Sequence, residues 1–310
     1  MRRLGERNVI LGIDRNPRSF PFRGKWEQCD LRDSQQLGKI MRKFDPQVVI
    51  HTAAWVDVDG CQKHPEKAKE NNETLTQLVV NASPKKAKII YISTEQVFPG
   101  KKPYAKESDP TRPLNVYGRT KLAGEKVVQK SGRRHLIIRT NFFGWSSGRK
   151  KTFGEWLIQS LREERPICLF TDFYFTPIYA GLMPDQIEIL LKKDAQGIVH
   201  IGGKDRVSKY EFGKRLAQLS GLSISGVKAA RMGSVDALAI RPKDISLNSC
   251  KAQAIMRRPS FSLTYSLKKF LREEKNFRQS GSQKTRTTKD HFKREDKKKK
   301  TKTSCNSPKK

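Results

Sequence analysis

Lys88–Ser93 (KIIYIS), Tyr117–Ser131 (YGRTKLAGEKVVQKS) and His135–Arg139 (HLIIR) decide the fold. The two flanking runs are short, apolar and rich in β-branched residues without polar alternation. A parallel strand covered by helices on both faces reads this way. The middle run spaces its apolar and small residues as a helix does. Strand, helix, strand in that order is a βαβ unit. Working outward, Asn8–Ile13 (NVILGI), Gln47–Thr52 (QVVIHT) and Ile198–Ile201 (IVHI) predict further strands, and Ser34–Phe44 and Pro65–Asn81 further helices. The expected class is therefore α/β, with a doubly wound parallel sheet. From Phe153 onward the spacing predicts helices over Phe153–Glu164, Leu182–Lys192 and Lys209–Ser220 with only short strands between, a smaller lobe packed on the sheet.

The 310 residues hold 64 Lys and Arg against 31 Asp and Glu, a formal charge of +33. Such a field attracts phosphates, nucleic acid or anionic lipid without choosing among them. Residues 275–310 contribute 14 basic and 3 acidic side chains, so the remainder of the chain is basic as well. After Glu274 almost nothing is apolar, and a disordered basic tail is expected. The run Lys297–Lys300 fits polyanion binding or nuclear targeting, while a solvated tail is the plainer reading, because no aromatic residues interleave with it. The cysteines Cys29, Cys61, Cys168, Cys250 and Cys305 lie far apart with no CxxC pair, which predicts neither a disulfide framework nor a metal site. No apolar run is long enough to span a membrane, and the start lacks a signal-peptide core. A cytoplasmic location without membrane contact is the expectation.

A Tyr followed four residues later by a Lys puts both side chains on one helix face, where the ammonium can lower the phenol's pKa and make a general acid for carbonyl reduction. Three pairs fit: Tyr117 with Lys121, Tyr210 with Lys214, and Tyr265 with Lys269. Only Tyr117 stands 23 residues after a strand ending in Ser93-Thr94, and only it begins a small-residue helix. A hydroxyl at the carboxyl end of a strand faces the crevice where doubly wound sheets bind ligands, so Ser93 or Thr94 can hold the oxygen that Tyr117 protonates. The other two pairs read as edges of amphipathic helices.

Pro46–Asp59 (PQVVIHTAAWVDVD), Tyr91–Gly100 (YISTEQVFPG), Pro103–Glu125 (PYAKESDPTRPLNVYGRTKLAGE) and Ile138–Gly144 (IRTNFFG) resemble the extended short-chain dehydrogenases/reductases. The nearest likeness within them is to the dTDP-4-dehydrorhamnose reductases and their sugar-nucleotide-modifying relatives. It continues through Phe175-Thr176-Pro177, Gly197–Tyr210 and Arg241–Leu247, and spans about residues 8–273. The resemblance implies a Rossmann-like sheet with an NAD(P)-binding domain over 1–150 and a substrate lobe over 151–274, partly interleaved with the sheet. It implies Thr94, Tyr117 and Lys121 as the catalytic set, with Lys121 also holding the nicotinamide ribose and Ala53-Ala54 packing against the cofactor. Asp14 and Arg15, at the end of NVILGI, fall where such folds read the adenosine ribose. An acid there suits a free 2′-hydroxyl and the adjacent Arg a 2′-phosphate, so NADP and NAD are both candidates. Asp30-Leu31 resembles the family's contact with the adenine edge. Asp30 also fits a helix cap, a task Asp33 suits better.

The resemblance implies NAD(P)H-dependent reduction of a 4-keto nucleotide sugar, and a homodimer as a possible assembly. Two other readings stand beside it: a nucleotide-sugar epimerase or dehydratase, disfavoured by FTPIYAG at residues 175–181, and a non-catalytic regulatory subunit like the beta subunit of methionine adenosyltransferase. Some family features are altered. The opening strand with its Gly-x-x-Gly-x-x-Gly turn, which cradles the pyrophosphate, is not found, so the first strand of the sheet is expected to be missing. Glu95 replaces an Asp, Gln96 a Tyr, and Phe142 a Trp common in the rhamnose enzymes.

Overall fold

The computed structural model describes residues 8–17, 24–146, 151–234 and 238–274. The expected basic tail, residues 275–310, lies outside them. The strands are β1 (Leu11–Asp14), β2 (Lys25–Gln28), β3 (Val48–His51), β4 (Lys88–Thr94), β5 (His135–Thr140), β6 (Phe142–Phe143), β7 (Ile167–Phe170), β8 (Tyr174–Phe175), β9 (Ile178–Tyr179), β10 (Gly197–Ile201), β11 (Val207–Ser208) and β12 (Val227–Ala230). The helices are α1 (Ser34–Phe44), α2 (Val58–Lys63), α3 (Pro65–Lys69), α4 (Leu75–Ala82), α5 (Val116–Lys130), α6 (Phe153–Arg162), α7 (Met183–Lys192), α8 (Lys209–Ser220) and α9 (Cys250–Met256). Residues 263–274 are also helical.

Strands β10, β5, β4 and β3 form one sheet in that order, with every pair parallel. Its central strand β4 is buried along nearly all its length, which explains its unbroken apolar sequence. Strands β1 and β2 make a separate parallel pair. The two sheets share one core, since Ile13 and Leu31 pack against the cluster of Leu37, Met41, Val49, Ile89 and Ile137. β1 and β3 do not pair with each other among the described residues. Among the described residues the parallel strands thus fall into two separate sheets.

Local sequence sets each helix. Asp33 caps α1 by accepting from the Gln36 amide at 2.9 Å, as its position predicts, and α1 buries Leu37 and Met41 against β3 and α4 neighbours. A cap of this kind is worth about 1 kcal/mol. Pro65–Asn81, which the spacing predicts as one helix, is α3 and α4 joined by a π-helical turn, Glu70–Thr74. The wider turn shifts the buried face and brings the polar Asn72 inside. Helix α5 starts at Asn115, whose side-chain oxygen accepts from the Gly118 amide at 2.9 Å. Its small residues serve close packing: a Cβ on Gly118 would sit 2.3 Å from the Gln96 carbonyl oxygen, and one on Gly124 2.3 Å from the Tyr91 hydroxyl.

The later part of the chain is interleaved with the sheet, because β10 joins it beside β5. Around β10 the other elements build a second, aromatic core. Phe143, Phe153, Phe175, Phe212 and Phe270 meet there with ring centroids 5.0 to 6.4 Å apart. Helix α8 begins with a capping box between Ser208 and Glu211 and ends on Gly221 in the left-handed region, so its start and stop are written locally. The short helix α2 and the parallel pair β7–β12 carry no strong sequence signal and were not expected.

Candidate functional site

The residues singled out from sequence lie where parallel strands end. Asp14 and Arg15 finish β1, Asp30 and Leu31 follow β2, Ala53 and Ala54 follow β3, and Thr94 ends β4. Carboxyl ends of parallel strands are where open α/β sheets form their ligand crevice. Tyr117 and Lys121 come from the first turns of α5, which packs on β4.

Of the two hydroxyls at the end of β4, the structure turns Ser93 inward. Its Oγ donates to Glu125 at 2.5 Å, and Glu125 is paired with Arg139 through two bonds of 2.9 and 2.7 Å. Of the two, Thr94 is the one that acts on the Tyr117 phenol, opposing the rise in its pKa. Burial nonetheless pushes the Tyr117 phenol above its ordinary range, and the Glu95 carboxylate adds to the rise. Lys121 does not supply the lowering expected from sequence. Its buried Nζ donates to the Ile92 carbonyl at 2.8 Å and lies 4.1 Å from the centroid of the Tyr91 ring. Burial pushes that ammonium down to about 7, against the pull of Glu125. The other two Tyr and Lys pairs are helix edges, as expected: Tyr265 is exposed and stacks on Phe261, and Tyr210 packs against the aromatic core.

Two residues missed in the sequence complete the setting. Asn72 is almost wholly buried, accepts from the Trp55 amide at 2.7 Å, donates to the Trp55 carbonyl at 3.1 Å and donates to Thr120 at 3.0 Å. It thereby ties the Ala53-Ala54 segment to the helix that carries Tyr117. Asn72 stands among polar neighbours, Glu70–Thr74 (ENNET), so its sequence position carries no signal that marks it as buried. His51, at the end of β3, is buried with Nε2 3.1 Å from the Thr76 hydroxyl, and burial together with Lys121 pushes it down to about 3, so the ring is neutral.

The residues of the opposite end are more exposed. Asp14 accepts from the backbone and side-chain nitrogens of Asn16, both at 2.8 Å, beside the exposed Arg15. Asp30 is held by Arg32 at 2.6 Å, which lowers it to about 2, while Leu31 packs into the core below. Arg32 reaches on to Glu70 at 3.3 Å. Asp30 therefore meets any ligand as a carboxylate already shared with Arg32.

The chain matches the family described as RmlD substrate binding domain over residues 2–276. It belongs to that family. The dTDP-4-dehydrorhamnose reductase of Escherichia coli (strain K12) is 30% identical over 237 residues, covering 72% of this chain and 78% of the relative. Methionine adenosyltransferase 2 subunit beta of Bos taurus is 27% identical over 252 residues, covering 75% and 72%. A solved dTDP-4-dehydrorhamnose reductase of Bacillus anthracis in complex with NADP shares the fold, with a TM-score of 0.75 at 23% identity over 85% of this chain and 98% of that one. The RmlD-family fold is α/β and Rossmann-like with a parallel sheet, as the strand pattern predicts.

Within this RmlD-family site, two of the departures noted in sequence, Glu95 and Gln96, follow the end of β4, while Phe142 is exposed in β6. Glu95 is buried, and its carboxyl accepts from the Thr94 hydroxyl and from Asn141 Nδ2, each at 3.0 Å. Gln96 accepts from Asn115 Nδ2 at 3.0 Å, joining the turn after β4 to the start of α5. Lys209 stands over the faces of Phe175 and Phe153, 3.6 and 4.1 Å from their centroids, and its charge acts on Glu95. No helix among the described residues is long and apolar enough to cross a membrane.

Proposed function

We propose that this chain is an NAD(P)H-dependent reductase of a 4-keto nucleotide sugar, of the dTDP-4-dehydrorhamnose reductase kind, with Tyr117 as general acid. The observation that carries the reading is the burial of Thr94, at the carboxyl end of β4, with Tyr117 and Lys121 on the first turns of α5, a helix that packs on β4 and is tied to it by Lys121 Nζ and the Ile92 carbonyl. Relatives of the same family with that activity support it.

The residues suit a dinucleotide. Asp14 and Arg15 would read the adenosine ribose, Asp30 and Leu31 the adenine edge, and the small Ala53 and Ala54, fixed by Asn72, allow a flat ligand close to the backbone. Lys121 would hold the nicotinamide ribose. When bound, NADPH or NADH supplies the hydride for the keto carbon. Tyr117 gives its phenolic proton to the carbonyl oxygen, and Thr94 fixes that oxygen. The raised phenol pKa keeps Tyr117 protonated at neutral pH, the form a proton donor needs. The phenolate left behind is reprotonated from solvent.

A second reading, a non-catalytic regulatory subunit, draws on the methionine adenosyltransferase beta relative and on the Lys121 ammonium being engaged by Ile92. Oxidation of NADPH and of NADH in the presence of a dTDP-4-dehydro-6-deoxy sugar separates the two. The enzyme reading expects turnover, reduced by about 10²- to 10⁴-fold in Tyr117→Phe with nucleotide binding retained. Absence of turnover in the wild-type chain, with nucleotide still bound, rejects it in favour of the second.

A further inference from the structure

We propose that Glu95 is a positioning residue for Thr94: ionised, it takes the Thr94 hydroxyl proton, and protonated, it donates to Thr94 and frees that proton for the substrate oxygen. The inference rests on the reductase reading for its catalytic meaning. Its basis is a count of hydrogen-bond valences. A hydroxyl has one proton to give and two lone pairs to receive. Thr94 Oγ1 receives from the Gln96 amide at 3.3 Å and gives its one proton to Glu95 Oε2 at 3.0 Å. A carbonyl oxygen can only accept, so with Glu95 ionised Thr94 has nothing to offer it. With Glu95 protonated on Oε2, the carboxylic acid donates to Thr94, whose own proton turns toward the crevice. Asn141 Nδ2 continues to donate to Oε1 at 3.0 Å in both states. The exchange therefore needs only a proton from solvent and a hydroxyl rotation, with no heavy atom displaced.

The surroundings place that proton exchange in the working range. Burial drives Glu95 up to about 7, opposed by its own backbone amide, by Thr94, by Lys209 from α8 and by Asn141 after β5. Tyr117 from α5 faces it as a neutral phenol. Lys209 is the one cation acting on Glu95 among the described residues. It rests on aromatic faces, and burial pushes it down to about 7 with Glu95 opposing. Two hydrogen-bond donors thus converge on the substrate oxygen only when Glu95 is neutral.

Two measurements on the full chain test this. The first is the pH profile of kcat/KM for wild type, Glu95→Gln and Lys209→Met. Wild type is expected to fall by about tenfold per pH unit above neutrality. Glu95→Gln, whose amide donates to Thr94 at every pH, loses that limb, and Lys209→Met shifts it upward. The second is an infrared titration of the protonated carboxyl band, as wild type minus Glu95→Gln, in which the band grows as pH falls through neutrality. This reads the exchange whether or not the chain turns over: a titrating band without NADPH oxidation keeps the Glu95 exchange and rejects the reductase reading. An unchanged limb in both variants, or a band that does not titrate, overturns the proposal.

Discussion

Removing one partner of the Glu125–Arg139 pair should be among the most damaging substitutions available in this chain. The two side chains are 1% and 3% exposed and joined by two bonds of 2.9 and 2.7 Å, and Ser93 donates a third bond to Glu125. They connect α5 to β5 and, through Ser93, to β4, so they hold together the elements that bear Thr94 and Tyr117. Neither charge can be solvated when its partner is lost, and breaking such a pair costs about 3–5 kcal/mol. Against a domain stability of roughly 5–15 kcal/mol that is a large fraction. Arg139→Met and Glu125→Gln should each lower the unfolding free energy by that amount, read from urea titrations followed by tryptophan fluorescence and far-ultraviolet circular dichroism. Replacing the pair together, Glu125→Leu with Arg139→Met, removes both buried charges, and isosteric apolar replacement is often neutral or stabilising. The double variant should therefore recover most of the loss. Single variants that each cost under about 1 kcal/mol, or a double variant whose cost equals the sum of the singles, would show that the pair is not the constraint described.

Gly124→Ala would bring a Cβ to 2.3 Å from the Tyr91 hydroxyl and 2.7 Å from the Asn72 carbonyl oxygen, costing about 1–3 kcal/mol and moving α5 off β4, so turnover should fall more than stability alone explains. Gly38→Ala in α1 meets only the end of the Arg42 side chain, at 3.3 Å, and should instead stabilise the chain by about 0.5–1 kcal/mol in the same denaturation assay. His51 and His200 are both pushed down to about 3 by burial, so the unfolded chain takes their protons first. Stability from these rings is present above the ordinary pKa near 6.5 and is lost as pH falls toward 3, up to about 3 kcal/mol per ring by pH 4. His51→Gln should flatten the decline in urea midpoint between pH 6.5 and pH 4, and an equal decline in wild type and variant would refute the assignment.

Much of this protein was written locally. Alternation of β-branched runs with helical spacing determined the class of fold, because a buried parallel strand admits little but apolar residues and a crossover helix must show one apolar face. The caps at Asp33, Asn115 and Ser208 fixed helix starts through side chains within three residues of the amides they satisfy. Thr94 and Tyr117 were legible together for the same reason, since a strand end and a helix start sit at a fixed place in a βαβ unit. Only the tertiary structure decided what these groups touch. It turned Ser93 toward Glu125 and Thr94 toward Glu95, turned the Lys121 ammonium to Ile92, buried Asn72 through a π-helical turn, and brought Lys209 from far along the chain under the influence of Glu95. Hydrogen-bond direction and charge state depend on burial and on neighbours from distant segments, and spacing along one segment carries no record of either.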